Sequence, residues 1–195
     1  MNQNLQKHLK VYTGVAAAML AHEKASGQIN YVDVNPDTLI HAQPVNSGSH
    51  FFFLDIDGNT INDFKFEVYW ASNNCLTCSS LSEHILVTPL NGNLIANKSY
   101  YHWNSHSGSS KLDPMKANSG DTIKYNLAID WKSKPNQAML FNWSANSGSF
   151  GGGGWTDFNN DYFLPFQLRK ITDYFFGWIR IRTLSNHSLV IRDYA

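Results

Sequence analysis

The chain has 195 residues, enough for one domain with a two-layer core and too few for two ordinary ones. A hydrophobic share of 43% with 14% aromatics argues against disorder, and 15 basic against 15 acidic residues leave no broad field to draw in nucleic acid or anionic lipid. No apolar run approaches the roughly 18 residues that span a bilayer, so the sequence predicts no membrane span.

Lys7 and Lys10, the mostly apolar stretch from Val11 to Ala21, and the small residues Ala25, Ser26 and Gly27 have the three-part build of a secretory signal. Residues 1–27 are therefore expected to be a signal peptide cut before Gln28, with residues 28–195 a single secreted or cell-surface domain. An amphipathic helix docked on that domain is the alternative. Loss of Lys7, Lys10, Lys24 and Glu23 would leave the domain faintly acidic.

Short alternating or aromatic runs separated by Asn, Ser, Gly and Pro then predict strands. They fall at Ile29 to Val34, His50 to Asp55, Asp63 to Trp70, His84 to Leu90, Thr122 to Asp130, Ala138 to Trp143, Tyr162 to Arg169, Phe175 to Thr183 and Ser188 to Tyr194. Phe64, Phe66 and Val68 alternate with Lys65, Glu67 and Tyr69, and Ile179 and Ile181 alternate with Arg180 and Arg182, so both strands have a dry face and a wet one. Strands spaced about a dozen residues apart, with no helical periodicity between them, predict an all-β fold, an antiparallel β-sandwich of jelly-roll type. Asn104 to Ser110 and the glycine run Gly151 to Gly154 read as loops, the second a flexible one.

The acidic stretch LDIDGNTINDF, Leu54 to Phe64, is the strongest local signal. Asp55, Asp57, Asn59 and Asp63 occupy loop positions one, three, five and nine, and the carbonyl of Ile61 position seven. Calcium takes six to eight oxygens, and short side chains alternating around a turn at Gly58 converge on one point. These five residues are the expected calcium ligands, since three crowded carboxylates repel one another without a cation. The loop is not an EF-hand: Gly lies at position four and Phe66 stands at position twelve. A bare hairpin turn with its acids in water is the alternative.

Cys75 and Cys78 are the only cysteines, and in an oxidising compartment the pair is expected to close a small disulfide. Free structural thiols, or zinc (with His84 the nearest further ligand) or redox chemistry, are the other readings. Trp131, Trp143 and Trp155 recur every twelve residues. Most are expected in the core, but Trp155, following four glycines, is the first candidate for ligand contact, with Trp103 and His102 (beside His106) next. Arg180 and Arg182 share a strand face with Trp178, which lets a guanidinium lie over the indole.

GxSxG, HExxH and GK[ST] motifs are missing, and Glu67 and Glu83 are the only Glu residues after the signal segment, so the chain does not read as a common hydrolase. Three roles follow: a calcium-braced domain for extracellular adhesion or ligand binding, a carbohydrate-binding module, and a polysaccharide hydrolase with an Asp-based site.

INYVDVNPD, LDIDGNTINDFKF and FFGWIRIRTLSNHSLVIRDYA together resemble uncharacterised secreted proteins of Bacteroidetes that share a DLNxDGxxDF loop and a terminal GWIR…DYAYE hairpin. The loop itself is similar to the inter-strand DxDGDGxxD calcium loops of FG-GAP and related repeats, with Thr60 in place of the second glycine. The resemblance implies calcium ligation by Asp55, Asp57, Asn59 and Asp63, and a structural role for Gly177, Trp178 and Arg180 in the last hairpin.

Overall fold

The computed structural model describes residues 31–43, 47–74, 79–104, 108–121, 129–170 and 173–195. The expected signal segment, Cys75 and Cys78, His106 and most of the strand expected from Thr122 to Asp130 lie outside the described residues. Twelve strands follow in order: β1 (Val32–His41), β2 (Gly48–Leu54), β3 (Phe64–Asn74), β4 (Ser79–Pro89), β5 (Leu94–Asn104), β6 (Gly108–Pro114), β7 (Asp130–Lys132), β8 (Gln137–Ala145), β9 (Gly148–Gly152), β10 (Asp161–Lys170), β11 (Asp173–Ser185) and β12 (Ser188–Tyr194). No helix long and apolar enough to cross a membrane occurs among the described residues.

The all-β, antiparallel class holds: every ladder is antiparallel. The strands join in one path, β1-β12-β11-β10-β5-β9-β8-β4-β3-β2, with β6 and β7 added on β5. Its two end strands, β1 and β2, lie in contact, so the sheet curls almost into a barrel. The wiring differs from the jelly roll expected. β2-β3-β4 and β10-β11-β12 are meanders of sequential neighbours, and strand number and spacing are the same for either wiring.

Alternation along the strands sorts the side chains as their sequence implies. Phe64, Phe66 and Val68 of β3 pair in register with Leu54, Phe52 and His50 of β2 and with Pro89, Val87 and Ile85 of β4. The three β3 residues, Val87 and Ile85 are fully buried, as are Ile179 and Ile181 of β11 and Leu189 and Ile191 of β12. The two flanks meet where Phe64 and Phe166 pack with ring centroids 5.1 Å apart. Each such side chain contributes about 1.5–3 kcal/mol on leaving water.

β5, β6 and β9 escaped the sequence pattern, β7 shares only Asp130 with an expected strand, and β5 is the pivot among them. One of its edges pairs with β10 at Leu94 and Ile95 and then with β6 from Asn97 onward; the other pairs with β7 and then with β9. Its Asn97 and His102 are buried, which erases the expected alternation. β6 begins at Gly108, inside the stretch read as a loop. The glycine run is also not a flexible loop: Gly151 and Gly152 belong to β9 and are buried. A Cβ on Gly152 would stand 2.8 Å from His102 Cγ, and one on Gly154 2.4 Å from the Tyr100 ring, so these positions are glycine because neighbours press on the backbone. Gly177 has a similar constraint, with Ala195 O 2.3 Å from where its Cβ would be.

Candidate metal centre and ligand cleft

The β2–β3 connection folds around its own carboxylates. Asp55 Oδ1 accepts the backbone N–H groups of Gly58 at 2.9 Å and Asn59 at 3.3 Å, and Oδ2 that of Thr60 at 2.7 Å. Asn59 Oδ1 accepts the N–H of Ile61 at 2.7 Å. Gly58 and Thr60 sit at φ 69° and 70°, so the turn uses left-handed backbone at a glycine and, less commonly, at a threonine. At its far end Asp63 is buried. Its Oδ2 accepts Ile56 N–H at 2.8 Å, and its Oδ1 accepts Asn93 Nδ2–H at 2.9 Å. Asn93 in turn accepts Arg169 N–H at 2.8 Å, which ties the loop to β10.

Asp55, Asp57 and Asp63 each bring a carboxylate oxygen within 4.8 Å of the other two. That is about the separation of two oxygens on opposite sides of one calcium ion. Carboxylate oxygens carry two lone pairs each, so Asp55 Oδ2 and both Asp63 oxygens, each accepting one N–H group, keep the capacity to ligate, whereas Asp55 Oδ1 already accepts two. Asn59 and Ile61, the other expected ligands, lie exposed on the loop.

Burial pushes the Asp63 carboxyl up, the Ile56 and Asn93 donors pull it down, and the charges of Asp57 and Asp55 push it up again, leaving it above its ordinary value. Burial also pushes Asp57 up, but the Lys170 ammonium, 3.1 Å away, outweighs it and holds Asp57 below its ordinary value. Lys170 was invisible to the sequence argument that three carboxylates require a divalent ion. It arrives from the end of β10, more than a hundred positions along the chain, and with the loop's own N–H groups supplies part of the positive charge.

The three residues expected to contact a ligand are dispersed. Trp155 is 0% exposed, donates Nε1–H to Pro114 O at 3.1 Å and lies in the core, which corrects its reading as an accessible ring. The glycines before it are packed against neighbours and do not project it outward. Trp103 is 43% exposed, and Tyr101, two residues before it on β5, is 65% exposed. His102, between them, faces the other way. It is buried, packs on Phe141 with ring centroids 5.0 Å apart, and shares a hydrogen bond from Nε2 with Asp113 of β6. Arg180 reaches Asp193, and Arg182 reaches Asp161 at 2.8 Å, so both guanidinium groups are engaged by carboxylates.

His102 and Asp113 line a cleft of about 400 Å³ between the β5–β6 hairpin and the β7–β8 segment. Sequence reasoning singled out His102 but neither its partner nor the cleft, because β6 reads as a polar loop.

A second polar cluster, unanticipated from the sequence, lies around Glu83 of β4. Its Oε1 accepts His187 Nδ1–H at 2.8 Å, while Oε2 accepts Asn142 Nδ2–H at 3.0 Å and Asn186 Nδ2–H at 2.9 Å. Burial pushes the Glu83 carboxyl up, and the donors from Asn142, Asn186 and His187 outweigh it, so it lies below its ordinary value. His41 of β1 packs beside His187, with ring centroids 5.3 Å apart. Burial, then His187 and His50, hold His41 below its ordinary value.

Set against protein-family models, curated proteins and solved structures, the chain matches none.

Proposed function

We propose that this is an extracellular ligand-binding domain whose Asp55–Asp63 loop binds calcium through Asp55, Asp57 and Asp63, with Asn59 and the Ile61 carbonyl completing the set. The supporting observation is the convergence of three carboxylate oxygens within 4.8 Å, one from buried Asp63. The ion would replace the proton that Asp63 otherwise holds more tightly than an ordinary carboxyl, and would brace the loop against the β4–β5 turn and β10. Calorimetry on chelator-treated protein tests this. One calcium per chain is expected, with a stabilisation of about 2.7 kcal/mol at a hundredfold excess over Kd, and both signals are expected to vanish in Asp57→Ala. Absence of heat and of any thermal shift in the native protein would retire the reading.

Carbohydrate binding is the second reading, favoured by Tyr101 and Trp103, which stand exposed two residues apart on one face of β5. Sugar rings stack on such rings. A glycan array comparing the native chain with Trp103→Ala checks it.

A further inference from the structure

We infer that the cleft between the β5–β6 hairpin and the β7–β8 segment is a binding site for an acidic saccharide, a sugar ring bearing a carboxylate. The inference gives the carbohydrate reading a ligand class and a second location, and it stands without calcium.

The size suits such a ligand: about 400 Å³ lies at the lower end of small-molecule sites. Charge sets its sign. The acids in and beside the cleft are already engaged, Asp113 by His102 and Asp130 by Lys132 at 2.8 Å. Lys111 and Lys134 also line the cleft, and neither makes an ion pair among the described residues. The lining carries three lysines against one carboxylate, with Lys111 close enough to Asp113 to act on its charge, and that excess of positive charge favours an anion.

The rim is positioned by buried groups. Gln137, 7% exposed, donates from Nε2 to the carbonyls of Lys132 at 3.2 Å and Lys134 at 2.8 Å, and accepts Asn97 Nδ2–H at 2.8 Å. Asn136 is fixed through its N–H to Thr88 Oγ1 at 2.9 Å. These bonds hold the lysine-bearing turn before any ligand arrives, the preorganisation a binding site needs.

The remaining lining explains why the anion carries a ring. Phe141 and Leu112 offer apolar contact, and Phe141 is steadied by its packing on His102. Asn136 has its amide N–H donors available for hydroxyl groups. His102 Nδ1 is buried with no hydrogen-bond partner, so the imidazole is tethered at Nε2 alone and serves to hold Asp113 and Phe141 in place. A bare inorganic anion would use the lysines and none of these.

Isothermal titration of the full chain with galacturonate and mannuronate tetramers, each beside its methyl ester, provides the test. At least one acid is expected to bind, with affinity falling as salt rises. Its ester is expected to bind about tenfold or more weakly, as is the acid to Lys111→Ala/Lys134→Ala, since each charge-assisted bond is worth about a factor of ten. Lys65→Ala, outside the cleft lining, is the control and should leave binding unchanged. EDTA should also leave it unchanged, which separates this site from the calcium loop. Failure of both acids to bind, equal binding of acid and ester, or full binding by the double lysine variant would overturn the assignment. Binding lost in Trp103→Ala but kept in the double lysine variant would overturn the cleft and leave the exposed β5 rings as the carbohydrate surface.

Discussion

Two buried carboxylates, Asp63 and Glu83, sit in the same curled sheet and are pushed in opposite directions. Both are more than nine-tenths hidden, so burial raises both. Glu83 gains two amide donors and a histidine, and its charge is held; Asp63 gains one amide and one backbone N–H and also faces two carboxylates. What a buried acid does is decided by the donors that fold against it, more than by its depth. The Glu83 region is complete in itself, while Asp63 faces the charges of Asp55 and Asp57 and stays above its ordinary value.

The contrast is broken most severely at Glu83. Glu83→Ala strands His187, Asn142 and Asn186 and is expected to cost about 3–5 kcal/mol in a urea titration, the range for removing one partner of a buried pair. A loss below about 1 kcal/mol would mean the cluster is a bystander. Acid should weaken the same region. Glu83 is depressed, so its contribution is present above its unfolded value of 4.5 and lost as pH falls through its folded value. His41 is also depressed and must stay neutral, so its contribution fades as pH falls from 6.5 toward its folded value. Melting temperature should therefore drop from neutral pH to pH below 4.5, and Glu83→Gln should flatten the lower part of that curve.

Asp63 sharpens the comparison with the opposite sign. Its raised value means that acid favours the folded state at this group. In calcium-free buffer Asp63→Asn should shift stability by no more than about 1 kcal/mol, since one hydrogen bond is weakened while like-charge repulsion is removed. Its melting temperature should fall more steeply with acid than that of the native protein. The smallest effect belongs to Lys170, whose ammonium is 48% exposed. Lys170→Met should cost about 0.5 kcal/mol or less without calcium and tighten calcium binding, because a competing cation is gone.

Much of the architecture was legible in the chain. The strict alternation in β3 and β11 placed Phe64, Phe66, Val68, Ile179 and Ile181 on dry faces, and all five are fully buried. The acidic spacing placed Asp55, Asp57 and Asp63 around one point, and their oxygens do converge. The glycine run misled because glycine signals both freedom and close approach. Against His102 and Tyr100 it is the second, and Trp155 goes into the core as a result. β5 and β6 were missed because buried Asn97, His102 and Asp113 interrupt the apolar pattern, each with a partner that the sequence does not mark.

By itself the sequence determined what depends on near neighbours: the all-β class, the dry and wet strand faces and the turn at Gly58, because side-chain alternation and turn torsions are set within a few residues. Tertiary structure alone decided which polar groups are hidden and who satisfies them. His102 finds Asp113 eleven positions away and Glu83 finds His187 at a separation of 104, contacts that exist only after the strands have paired. A polar side chain's environment is fixed by what packs against it from elsewhere in the chain, and no local pattern carries that information.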